Sequence, residues 1–156
     1  MTIIGDATDL SGSQTLAQLG DADSPDVLEV LMKANHPQEA LEALCAFAES
    51  KTKDEDTLYT FRLVCDEFLV NIASYAYGEG NGPVYAAVDA RDGLKVFLMD
   101  KGIKFNPLED AKSPDVDAPL DEREIGGCGI MLSRSFAKKL EYRREGLWNI
   151  TIAEIA

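Results

Sequence analysis

The chain has 156 residues, 46% of them hydrophobic and 28% charged, with a formal net charge of −13. That size and balance describe one globular domain with a core of its own. Such acidity excludes nucleic acid and anionic membrane surfaces as partners on electrostatic grounds, and no apolar run approaches the roughly 18 residues of a membrane span. The N-terminus lacks a signal peptide's basic flank and apolar stretch, so the cytoplasm is the expected address. Cys45, Cys65 and Cys128 are odd in number and in no metal-binding spacing, which fits reduced thiols.

Residues 1 to about 25 are rich in Gly, Ser, Asp and Thr and show no sustained period. They read as a flexible or late-ordering arm, with one helical turn at most around Leu16, ahead of a domain spanning 26–156. Val27 to Met32 reads as a first strand. Pro37 suits the first turn of a helix to about Ser50, with Ala40, Leu41, Leu44, Cys45 and Phe47 as its apolar stripe. A longer helical pattern runs from about Asp56 to Tyr77 and closes at Gly78. Phe61, Cys65, Phe68 and Ile72 follow helical spacing, while Leu63, Val64, Leu69, Val70 and Ala73 make the rest of its circumference apolar. Such a helix is expected to be buried, with its few polar groups facing a cleft. Pro83–Ala90 and Leu94–Asp100 read as strands of a hairpin turning at Arg91-Asp92-Gly93. Residues 103 to 125, with three prolines, form a connection of lid length. A helix from Gly129 to about Lys139 follows, then strands Leu140–Arg144 and Trp148–Glu154 around Glu145-Gly146. The predicted fold is an α+β two-layer sandwich, helices on one face of a mixed, mostly antiparallel sheet.

Three segments carry chemistry. Glu67, Asn71 and Ser74, at i, i+4 and i+7, share one helix face. A carboxylate there can align or deprotonate a hydroxyl, and a carboxamide oxygen one turn on can ligate Mg²⁺; alone, such a pair is more often a solvated Glu with a capping or surface Asn. Asp100 ends an apolar strand, followed by Gly102 and Phe105. The Asp can accept from a base amino group while Gly102 lets backbone pass close to a ring; alone, such a segment is more often an Asx-turn at a strand end. Gly126, Gly127 and Gly129 at a helix start leave backbone N–H groups free for phosphate oxygens, or make a flexible joint. The cluster is neither a Walker loop nor a dinucleotide fingerprint.

In this order, with a lid-length loop between the last two, the three segments resemble the boxes of the GHKL ATPases of the Bergerat fold. The N box corresponds to Glu67 and Asn71, the first glycine box to Asp100 and Gly102, the second to Gly126-Gly127-Cys128-Gly129. Within that superfamily the chain looks most like the anti-sigma factor serine/threonine kinases. Asp100 through Pro107, Glu122 through Gly127, Tyr142-Arg143-Arg144 and Trp148-Asn149-Ile150-Thr151 match, and the likeness covers about residues 27 to 155. The resemblance implies ATP and Mg²⁺ as cofactors, with Glu67 as general base, Asn71 as metal ligand and Asp100 as acceptor from the adenine amino group. Gly102 and Phe105 would lie against the nucleotide, and Gly126, Gly127 and Gly129 against its phosphates. The implied partners are a STAS-type anti-sigma antagonist, phosphorylated on Ser or Thr, and a sigma factor; homodimerisation is left open. Tyr75 and Ala76 stand where kinase relatives often carry His-Gly, and the lid is acidic. A module that sequesters a protein without phosphotransfer is therefore an alternative. A detached histidine-kinase ATPase domain is another, disfavoured because the single histidine, His36, precedes Pro37 at a strand-to-helix joint.

Overall fold

Two layers follow from two periods in the sequence. A computed structural model of the chain describes residues 2–4, 24–35, 37–78, 80–109 and 136–156. Among the described residues six strands form one sheet: β1 (Thr2–Ile3), β2 (Val27–Lys33), β3 (Pro83–Asp89), β4 (Lys95–Asp100), β5 (Lys139–Glu145) and β6 (Trp148–Glu154). Their order is β1-β2-β3-β4-β6-β5. All neighbours pair antiparallel except β1, which runs parallel to β2 with Ile3 opposite Leu31. The helices α1 (Pro37–Lys51) and α2 (Glu55–Asn71) cover one face. This is the expected α+β sandwich with a mixed, mostly antiparallel sheet. Among the described residues no helix is long and apolar enough to cross a membrane.

Successive strand residues point to opposite faces, and the alternation sorts the core. Val30, Met32, Val84, Ala86, Val88, Val96 and Leu98 meet Leu41, Leu44, Phe61, Val64 and Phe68 from the helices. Tyr85, Ala87, Met99, Trp148, Ile150 and Ile152 form a second buried cluster on the other face. The Tyr85 hydroxyl there is bonded to the Glu29 carboxylate, and Lys101 Nζ lies 5.0 Å from the centre of the Trp148 ring. Burying a side chain such as Phe68 completely contributes about 1.5–3 kcal/mol, so the helix layer rests on this apolar face.

α2 starts at Asp54, whose carboxylate accepts from Thr57 N at 3.0 Å and from its hydroxyl at 2.6 Å. Those bonds hold the Asp54 carboxyl below its usual pKa range. The helix departs from expectation in two ways. Its α-helical part ends at Asn71 and continues as a π-helical turn, Ile72–Ala76, before Gly78 breaks the chain at φ +60°. It is also buried on one side only: Val70 is 40% exposed, and Ala73 and Ser74 are exposed. The wider i→i+5 turn advances less per residue, so Ser74 leaves the line it was expected to share with Glu67 and Asn71.

Near the C-terminus Phe136 is still helical, but Lys138 N donates to Glu154 O and Lys139 already opens β5. The helix expected to reach Lys139 stops sooner, because the edge strand claims those backbone groups. Gly146, at φ +58°, turns β5 into β6. The second glycine cluster, most of the lid, Leu16 and His36 lie outside the described residues.

Candidate functional site

The polar residues of the helix-facing sheet surface gather at one end. Asp100 closes β4, Asn149 stands opposite it on β6, and Thr151 follows two residues on. All three are buried, in a strand position otherwise filled by Leu98, Val96 and Ala153. Above them passes the end of α2 with its π turn. The space between is a cleft lined by Phe68, Asn71, Ile72, Ala76, Asp100, Phe105, Pro107, Asn149 and Thr151. Apolar walls with a few convergent polar groups are what a small-molecule site needs.

Asp100 is 5% exposed. Its Oδ1 accepts from Gly102 N at 2.9 Å and from Asn149 Nδ2 at 2.9 Å. Oδ2 accepts no hydrogen bond from the described residues, which leaves one carboxylate oxygen available to a ligand. Burial raises the Asp100 pKa, while the Asn149 and Gly102 bonds and the Arg144 guanidinium pull it back down.

The turn after Asp100 is braced from several sides. Ile103 N donates to Ala76 O at 2.9 Å, and Arg144 Nη1 donates to Gly102 O at 3.1 Å. Tyr77 accepts from Lys101 N at 2.8 Å and donates its hydroxyl proton to Pro83 O. Burial pushes the Tyr77 phenol up to about 12, so it stays a donor. Gly102 has a different close neighbour from the one its sequence context suggested. A Cβ there would lie 2.5 Å from the Ala76 carbonyl carbon and closer still to its oxygen. The glycine lets the β4 end pack beneath the π turn.

Glu67 and Asn71 sit one helical turn apart, both half-buried. Asn71 lines the cleft, whereas Glu67 is not among its lining residues. Glu67 Oε2 and Asn71 Nδ2 are buried without a hydrogen-bond partner among the described residues. A buried polar atom left unpaired is costly, so two on one helix face are suited to meet a polar ligand. Burial, and secondly the Asp66 charge, raise the Glu67 pKa, toward the range where a carboxylate is an effective base. The Asn71 amide can present its oxygen at the unpartnered position by a flip, and one such oxygen suits Mg²⁺, which usually takes only one or two from protein. The residues present therefore fit a hydrated Mg²⁺.

Phe105 lines the cleft and stacks on Tyr75, ring centres 5.4 Å apart. The structure thus brings Asn71, Asp100 and Phe105 together, with Gly102 and Glu67 next to them. Gly126, Gly127 and Gly129 lie outside the described residues. Sequence reasoning gave no role to Asn149, Thr151, Tyr77 or Arg144. A signal existed for the first two: in Trp148–Glu154, Asn149 and Thr151 are polar at alternate positions of a strand whose flanks are apolar.

The family model of the histidine kinase-like ATPase domain matches residues 32–154. The chain is also similar to the serine/threonine-protein kinase BtrW of Bordetella bronchiseptica. The two are 30% identical over 126 residues, 80% of this chain and 88% of that protein.

Proposed function

The chain belongs to the histidine kinase-like ATPase family, and from that premise we propose that it is a Mg²⁺-dependent serine/threonine kinase of the anti-sigma type, phosphorylating a STAS-type antagonist domain in bacterial partner switching. Family membership implies ATP binding. The observation that supports the finer reading best is Asp100, anchored through Oδ1 and open at Oδ2 on the floor of an apolar cleft. An ionised carboxylate oxygen there accepts a hydrogen bond from the amino group of adenine, and the two hydrogen bonds that Oδ1 accepts keep the carboxylate from rotating away.

Each remaining residue has a task in this reading. Asn71 holds the metal by its amide oxygen, and the metal offsets triphosphate charge that an acidic protein cannot. Glu67, one turn earlier and desolvated, takes the proton of the attacking hydroxyl or orients it. Gly126, Gly127 and Gly129 present backbone N–H groups to the phosphates. A sigma factor as second partner and a cytoplasmic address belong to the same proposal.

The test is transfer of labelled phosphate from ATP to candidate antagonist domains by the wild type and by Glu67→Gln. The substitution keeps shape but removes the base. Phosphotransfer should fall about 10²–10⁴-fold while ATP affinity barely changes, since a base acts mainly in the transition state. Equal turnover by the two proteins would remove Glu67 from the mechanism.

A second reading, a nucleotide-binding module that sequesters its partner, is favoured by the acidic connection. Glu109, Asp110, Asp115, Asp117, Asp121, Glu122 and Glu124 stand there against Lys104, Lys112 and Arg123. Few cations in it can neutralise a transferring phosphoryl group. A wild type that binds ATP and the antagonist yet transfers no phosphate would decide for this module.

A further inference from the structure

Asn149 is 4% exposed and uses every hydrogen-bonding capacity of its amide. Nδ2 donates to Asp100 Oδ1 at 2.9 Å and to Ile103 O at 2.7 Å. Oδ1 accepts from the Tyr142 hydroxyl at 2.6 Å and from Phe105 N at 3.3 Å. Two donors on one side and two acceptors on the other leave the amide a single orientation. One side chain thereby ties β6 to the end of β4, to the turn that carries Phe105, and to β5.

We propose that Asn149 is a positioning residue for nucleotide selection: it holds Asp100 by Oδ1, and the Ile103–Phe105 turn beside it, so that Asp100 Oδ2 faces the cleft as the acceptor for the base amino group. The inference rests on the adenine reading of the site. Without the Nδ2 donor, Asp100 keeps only the Gly102 N bond on Oδ1 and can turn either oxygen, or neither, toward the base. A buried polar group that is only partly satisfied loses the orientation that a complete network imposes. Tyr142 acts one step further out: Ile103 O and Phe105 N set which end of the Asn149 amide faces Asp100, and the Tyr142 hydroxyl, donating to Oδ1, braces it there.

The experiment compares ATP with ITP, whose base carries a carbonyl in place of the amino group, by calorimetry across pH. The proteins are the wild type, Asn149→Leu and Tyr142→Phe, with thermal unfolding to check the fold. The wild type should prefer ATP. Asn149→Leu keeps volume but not the bonds; it should lower ATP affinity tenfold or more and ITP affinity less than threefold. Tyr142→Phe should shift the ratio in the same direction by a smaller factor, and it carries the test if Asn149→Leu fails to fold. The other groups acting on or coupled to the Asp100 charge are Arg144 on β5 and Tyr77 after the π turn, and neither is altered. Removing the Asn149 donor should therefore move the acid loss of ATP binding to higher pH in Asn149→Leu. Equal weakening of ATP and ITP with an unmoved pH profile would make Asn149 merely structural and overturn the proposal. A wild type that does not distinguish ATP from ITP would instead overturn the adenine reading beneath it.

Discussion

Asp100→Asn probes the base-reading group with little disturbance to its surroundings. Oδ1 accepts from Gly102 N and Asn149 Nδ2, each at 2.9 Å. An Asn side chain keeps an oxygen for those two donors and places its amide nitrogen where Oδ2 was. The cleft then offers a donor to adenine's amino group, itself a donor. What is lost is a hydrogen bond to a charged acceptor, worth about 1.5–3 kcal/mol. At about 1.4 kcal/mol per tenfold, ATP affinity should fall about 10- to 150-fold. ITP offers a carbonyl at that position and should overtake ATP.

Stability should move the other way. Burial holds the Asp100 pKa above its ordinary value, so the protonated form is favoured by folding. Its contribution is complete below the unfolded pKa and is lost as pH rises through the raised folded value. At neutral pH the buried charge is therefore a net cost, which Asn removes. Calorimetry with both nucleotides and thermal unfolding at neutral pH measure the two effects. Unchanged ATP affinity, or ATP and ITP weakening together, would refute the reasoning.

Asn71→Ala should abolish the Mg²⁺ dependence of ATP binding, seen by titrating nucleotide with and without metal; equally tight, metal-dependent binding would remove Asn71 from the metal. Gly102→Ala forces a Cβ into the Ala76 carbonyl and should destabilise the fold by about 1–3 kcal/mol, read from denaturant midpoints. Because the same shift moves the Asp100 turn, its ATP affinity should fall as well. In the wild type, acidification should weaken ATP binding at a pH above the ordinary Asp range, since protonation of Asp100 removes the acceptor. A binding profile flat through that range would argue that Asp100 does not meet the base.

The sequence was informative wherever one local rule governed. Alternation located β2, β3, β4 and β6 to within a residue or so. Pro37 and Gly78 punctuated the helices as their backbone chemistry requires. The order of Glu67-Asn71, Asp100-Gly102 and the second glycine cluster carried the family, which the match over residues 32–154 bears out. Other features depended on contacts between distant segments. The one-sided burial of α2 is such a case: Val70 and Phe68 are both apolar, and only the position of the sheet exposes the first and hides the second. The π turn is another, since no local signal distinguishes Ile72–Ala76 from a continuing α-helix. The role of Gly102 as a seat for the Ala76 carbonyl appears only once β4 and α2 are packed. Asn149 is the clearest instance. It lies 49 residues from Asp100 along the chain, and antiparallel register alone sets the two face to face. A hydrogen bond needs both partners in place, and tertiary pairing decides where the second one is.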